Sequence, residues 1–145
     1  MDAAGLAPTV TRHGRVSSLA EAAAARGIEP AGLIKTLVVR RGEGDYLFVL
    51  VPGDRTISWP KLRALLGVSR LSMPDAATAK DVTGYERGTI TPFGATHPWP
   101  VVADERVRGL VSIGAGAHGV AATVDGDDLV AVLGADRADV THPAP

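Results

Sequence analysis

Ile34-Lys35-Thr36-Leu37-Val38-Val39-Arg40, then Gly42-Glu43-Gly44-Asp45, then Tyr46-Leu47-Phe48-Val49-Leu50-Val51 is the stretch on which the fold turns. Two short runs rich in Val, Leu and Thr flank a cluster of turn formers. That pattern predicts strands over 34–40 and 46–51, paired as an antiparallel hairpin, with Pro52-Gly53-Asp54 ending the second. Both runs read as buried strands. Lys35 stands at the mouth of the first. An ammonium is costly to bury there unless an anionic group meets it, which makes Lys35 the first functional candidate. The plain structural alternative is a lysine whose stem lies on apolar surface while its head reaches water.

Upstream, Ser18 and Glu21 have capping-box spacing and Gly27 is a plausible stop, so a helix is expected over 19–26, followed by a turn at Pro30. Downstream, Ser58 caps an expected helix over 59–66, with Pro60 in its first turn and Gly67 after it. A short strand over 70–73 and a weaker helix from Pro74-Asp75 to Asp81 follow. Thr83 to Gly94 is dense in glycine and reads as loop, with one strand over 89–91. Further strands are expected over 99–103, 110–113 and 120–124, then a helix led by Asp127 and Asp128 through Leu133. Strands outnumber helices without regular βαβ alternation. The expected fold is α+β: a single domain over 1–145, with a curved, partly barrel-like mixed sheet flanked by helices. Residues 1–12 and 141–145 are expected to be frayed.

The chain has 145 residues, 15 basic and 16 acidic side chains and no cysteine. The length suits one domain. The charge balance argues against retention on nucleic acid by bulk charge, though not against a local basic patch. The lack of cysteine removes disulfides, thiolate metal sites and a Cys nucleophile. No stretch approaches the roughly 20 apolar residues of a membrane helix, and the first ten residues lack the pattern of a signal peptide. A cytoplasmic protein with no membrane partner is expected.

Gly114-Ala115-Gly116-Ala117-His118-Gly119 matches the spacing of a dinucleotide-binding turn, but residues 120–124 read as a strand where that motif requires a helix. A tight turn that lets a ligand or another backbone approach is the better reading. His13, His97, His118 and His142 show no zinc-hydrolase spacing, and no GxSxG elbow surrounds any serine. Asp127 and Asp128 suit a helix N-terminus, a structural role. Arg40, Arg41, Lys61, Arg63, Arg70 and Arg87 could converge on one face, but ordinary solvated charge is the expectation for most of them.

The ordered set Gly27-Ile28-Glu29-Pro30, Lys35-Thr36-Leu37-Val38-Val39, Leu62 to Gly67, Thr83-Gly84-Tyr85, Gly88-Thr89-Ile90-Thr91-Pro92-Phe93-Gly94, Gly114-Ala115-Gly116 and Asp128-Leu129 closely resembles the YbaK/prolyl-tRNA synthetase editing-domain family, over about His13 to Val140. The resemblance implies hydrolysis of mischarged aminoacyl-tRNA in trans, above all tRNA for proline carrying a wrong small amino acid. It implies no metal or organic cofactor. The implied partners are the acceptor end of aminoacyl-tRNA and, as a further candidate, prolyl-tRNA synthetase. Lys35 matches the family lysine, and Gly88 to Pro92 match its Gly-x-x-x-Pro loop. Lys35 and Gly88 are therefore the catalytic candidates; Thr89, Ile90, Pro92, Phe93, Gly94, Gly114 and Gly116 are the substrate-binding ones. Members acting on cysteine carry serine, aspartate and tyrosine where this chain has Gly114, Ala121 and Thr11, so alanine is the expected acyl group ahead of cysteine. Two rival readings stay open: a non-catalytic module that binds the tRNA acceptor end, and a small nucleotide-binding protein.

Overall fold

The structure, a computed structural model, describes residues 9–12, 30–85, 91, 99–114 and 120–144. Its elements are β1 (Thr9–Arg12), a 3-10 turn (Pro30–Gly32), β2 (Ile34–Gly42), β3 (Asp45–Pro52), β4 (Arg55–Ile57), α1 (Trp59–Leu66), α2 (Ala76–Thr83), β5 (Val101–Asp104), β6 (Leu110–Gly114), β7 (Val120–Asp125), α3 (Gly126–Leu133), β8 (Asp136–Ala138) and β9 (Thr141–Pro143).

The expected hairpin forms, slightly longer than its apolar runs. β2 and β3 pair antiparallel from Ile34–Pro52 to Arg40–Tyr46, and a bulge then shifts the register to Gly42–Asp45. Gly44 closes the turn at φ 66°, in the left-handed region that glycine enters without strain. Leu47 through Val51 are all at most 1 % exposed. That burial follows from position: β3 lies inside the four-stranded order β2-β3-β5-β8, antiparallel to β2 and parallel to β5. Its side chains alternate between two cores. Leu50 joins Ile34, Ile113, Ala122 and Leu129 on one face, while Leu47, Val49 and Val51 join Val39, Ile57, Leu62 and Val140 on the other. Each such apolar side chain contributes about 1.5–3 kcal/mol on burial.

A second, antiparallel sheet has the order β1-β7-β6, and a parallel bridge between Leu33 and Ser112 joins it to the start of β2. A two-stranded ladder, β4 with β9, completes the set. The fold is α+β with mixed sheets, as expected, but among the described residues the ladders do not close into a barrel.

Helix ends follow local chemistry. α1 spans the expected residues, with Gly67 at φ 67° past its end, although Ser58 makes no side-chain cap bond. Asp75 and Asp125 do cap α2 and α3, accepting from the N–H of Thr78 and of Asp128. Gly126, where β7 meets α3, must be glycine, because a Cβ there would lie 2.8 Å from the Arg108 backbone nitrogen.

Several expectations need correction. Residues 70–73 form no strand; Ser72 only bridges Arg40, with N···O distances of 2.7 and 3.1 Å. Thr91 is buried but not in a strand, and Thr89 and Ile90 lie outside the described residues. β5 begins at Val101 rather than Trp99, whose indole N–H instead donates to the Val82 carbonyl at 2.8 Å. β1 and β9 occupy parts of both ends expected to be frayed. β9 is well held: Ser58 N–H donates to the Val140 carbonyl at 2.8 Å and Ala144 N–H to the Asp54 carbonyl at 3.1 Å. The sequence hides it because its bonds are backbone and polar ones, which leave no apolar periodicity. The expected helix over 19–26 lies outside the described residues.

Candidate functional site

Lys35 is the second residue of β2, paired with Val51, and strand alternation puts it on the face that carries Val39. Its ammonium donates to the Arg55 carbonyl of β4 at 2.9 Å. Burial pushes the Lys35 pKa below the ordinary lysine value, and the Asp54 carboxylate nearby works against that shift. The lysine is thus half-buried and held by one backbone oxygen, leaving ammonium protons for a further acceptor.

β4 is itself held from the far end of the chain. Arg55 Nε donates to Thr141 Oγ1 at 2.7 Å, and Thr141 Oγ1 donates to Asp104 Oδ1 at 2.8 Å. Asp104, fully buried, also accepts from Val140 N–H at 3.2 Å and from the Arg106 backbone N–H at 3.1 Å. This relay from Asp104 through Thr141 and Arg55 to Lys35 has no sequence motif, because its members are separated by most of the chain.

Gly114 ends β6. Leu33 and Ser112 are bridged in parallel, and two residues further along each strand stand Lys35 and Gly114. Gly114 pairs with Ala121 and Ala121 pairs with Thr11. Thr11, Ala121 and Gly114 therefore form one cross-strand row at the Lys35 end of the sheet. Gly88, Thr89, Ile90, Pro92, Phe93, Gly94 and Gly116 lie outside the described residues.

Thr36 shares its β2 face with Ile34 and Val38, opposite Lys35. Its hydroxyl oxygen is buried with no hydrogen-bond partner among the described residues. Such an orphan costs about 1–3 kcal/mol. Thr36→Val is therefore expected to raise stability by about 1 kcal/mol, read as a higher denaturant midpoint at unchanged slope. A loss of stability would show that the hydroxyl has a partner.

β7 starts at Val120, so a strand follows Gly114–Gly119 and the dinucleotide reading fails on structure as well as on sequence. Asp127 is tied to Arg137 at 2.7 Å, in keeping with a structural role. Among the described residues no group of three or more His, Asp, Glu or Cys is placed to hold a metal ion, and no helix is long and apolar enough to cross a membrane.

Four of the six scattered cations do converge, while Arg40 and Arg70 stay exposed to solvent. Arg40, Arg41, Arg63 and Arg70 line one cleft together with Gly42, Ser69, Leu71 and Ser72. Lys61 is elsewhere, bonded to Asp139 at 2.8 Å, and Arg87 lies outside the described residues.

Lys35 near the head of a buried strand and the row of Thr11, Ala121 and Gly114 sit in a small α+β domain of mixed sheets. Residues 13–132 match the family described as aminoacyl-tRNA editing domain, and the chain belongs to that family. It is similar to the proline–tRNA ligase of Bacillus licheniformis, at 29 % identity over 103 residues, which cover 71 % of this chain and 18 % of the ligase. The proline–tRNA ligase of Trichlorobacter lovleyi is 32 % identical over 101 residues, again 70 % of this chain and 18 % of the ligase. The chain thus spans under a fifth of these ligases' length. Among solved structures, a candidate trans-editing enzyme for prolyl tRNA synthetase superposes with TM-score 0.85 at 26 % identity, covering 93 % of this chain and 87 % of that one. A hypothetical protein superposes equally well, with TM-score 0.85, 27 % identity and coverage of 95 % and 93 %.

Proposed function

We propose that this chain is a trans-acting deacylase, which hydrolyses the ester between a wrong small amino acid and the terminal ribose of tRNA for proline. The observation that carries the reading is Lys35, half-buried and anchored to β4, level with Gly114 in an editing-domain fold. Ester hydrolysis needs a placed water and donors for the developing oxyanion. Lys35 holds the terminal phosphate or ribose. In this reading the backbone around Gly88 supplies N–H groups to the developing oxyanion, and Thr89, Ile90, Pro92, Phe93 and Gly94 bind the acyl group. The site candidates include no general base, so the neighbouring ribose hydroxyl of the substrate orients and activates the water. The proton lost by water ends on the ribose oxygen released from the ester.

Gly114 and Gly116 form the wall of the acyl pocket, and selection is by size. A panel of Ala-, Cys- and Pro-charged tRNA for proline tests the reading. Ala-tRNA is cleared fastest, Cys-tRNA more slowly and Pro-tRNA is spared. Binding of all three without turnover would instead make the chain a non-catalytic acceptor-end module. One methylene in an apolar pocket separates substrates by about 10–200-fold, so the margin between small acyl groups is modest. Adding Gly114→Ser and Ala121→Asp together, neighbours in register, is expected to move preference toward cysteine by an amount within that same range. An unchanged Ala/Cys ratio in a folded double variant removes this row from the pocket.

A further inference from the structure

The arginine cleft is unexplained by a site built around Lys35. Its volume is about 410 Å³, and four arginines and two serines line it. Arg41 is six residues along β2 from Lys35, about 20 Å at the usual strand rise. Three features build the cleft. The bulge between Arg40 and Gly42 breaks strand alternation, so two successive arginines reach one hollow. The Arg40–Ser72 backbone bridge pins residues 69–72 against the strand end. α1 then presents Arg63 from the other side.

The charge here is unbalanced. Among the described residues the Asp45 carboxylate engages only Arg41, through bonds of 3.0 and 3.1 Å. Arg40, Arg63 and Arg70 make no ion pair among the described residues, in a chain whose net charge is only -1. These three like charges around one hollow, beside a fourth that Asp45 offsets, repel one another, and an anion presented from outside relieves that repulsion. A guanidinium fork matches two phosphate oxygens at once.

We propose that this cleft is a second anchoring site for tRNA, one that grips backbone phosphates remote from the acylated end. The proposal rests on the tRNA substrate put forward above. The separation from Lys35 means that the two sites engage different phosphates of one tRNA. The cleft adds affinity and register without reading bases, and Arg63 and Arg70 touch no reacting atom.

The test is binding of an uncharged tRNA transcript and, separately, of a CCA trinucleotide, to wild type and to Arg63→Gln/Arg70→Gln across a salt series. The double variant is expected to bind tRNA about tenfold more weakly, with a salt slope shallower by about 2, one per arginine removed. Trinucleotide binding should not change, because that ligand reaches only the Lys35 site. The side chains of Arg63 and Arg70 make no hydrogen bond or ion pair among the described residues, so an unchanged circular dichroism melt is expected. Unmoved tRNA affinity and slope, an equal loss for the trinucleotide, or no tRNA binding by the wild type each overturns the proposal. Tight saturable binding of inorganic phosphate, lost in the double variant while tRNA binding stays intact, assigns the cleft to a free small anion and also overturns it. Binding that depends on these arginines with no turnover of any mischarged tRNA keeps the cleft and removes only the hydrolase.

Discussion

Lys35→Ala is expected to abolish deacylation, by at least about 100-fold in kcat/KM, the scale seen when one oriented electrostatic donor is removed from an active site. The melting temperature should stay near wild type. The side chain is half-buried and among the described residues its hydrogen bond is to a single backbone carbonyl, so alanine releases a desolvated charge as it removes that bond. Lys35→Arg should also be poor, because a planar fork does not replace a compact ammonium. The pH dependence follows from the lowered pKa. With the folded value below the unfolded one, burial of the charge costs stability wherever both states are protonated, and that cost disappears as pH rises from the folded value to the unfolded one. Activity moves the opposite way and falls as the ammonium deprotonates, so its alkaline limb should lie below that of an ordinary lysine. Asp54→Asn removes the group that raises the pKa and should bring the limb lower still. Near wild-type turnover by folded Lys35→Ala would sink the assignment.

The largest loss of stability is expected from Asp104→Ala, about 3–5 kcal/mol, the usual cost of breaking a buried charged network by removing one partner. Asp104 is 0 % exposed and takes bonds from Arg106, Val140 N–H and Thr141 Oγ1. Alanine leaves two of those donors buried without an acceptor and frees β9 from β5. For a domain of this size the loss corresponds to a melting temperature lower by roughly 6–20 °C. Asp104→Asn keeps one acceptor oxygen and should cost less. Thr141 also steadies Arg55, whose carbonyl holds Lys35, so the alanine variant should lose activity at temperatures where it is still folded. A loss under about 1 kcal/mol would show that the tail is held without Asp104.

Local pattern carried the hairpin and the three described helices. Apolar runs around Gly42–Asp45 left little choice but two paired buried strands. Pro60, Asp75 and the pair Asp127 and Asp128 announce helix starts, with Gly67 past one helix end; that Asp125 is the residue capping the last helix and Gly134 its stop came from the structure. Trp99 misled by composition: an aromatic suits a strand, but the flanking Pro98 and Pro100 cannot donate to a ladder, and its indole closes onto α2. Thr9–Arg12 and Thr141–Pro143 are short and half polar, and such segments become strands only when a distant edge offers its backbone groups.

The candidate site divides in the same way. Lys35 was visible from its own chain, because a cation heading a buried strand is a local anomaly with a local cost. Its level with Gly114, the single row of Thr11, Ala121 and Gly114, and its tether through Arg55 and Thr141 to Asp104 depend on register between strands far apart in sequence. The arginine cleft shows the division most clearly. Residues at 40, 41, 63 and 70 could converge on one face but read mostly as solvated charge, since no helical or strand period relates them. A bulge, a backbone bridge at Ser72 and the packing of α1 bring them around one hollow. Periodicity reports short-range backbone and burial preferences; convergence of like charges is set by long-range packing, which no local pattern encodes.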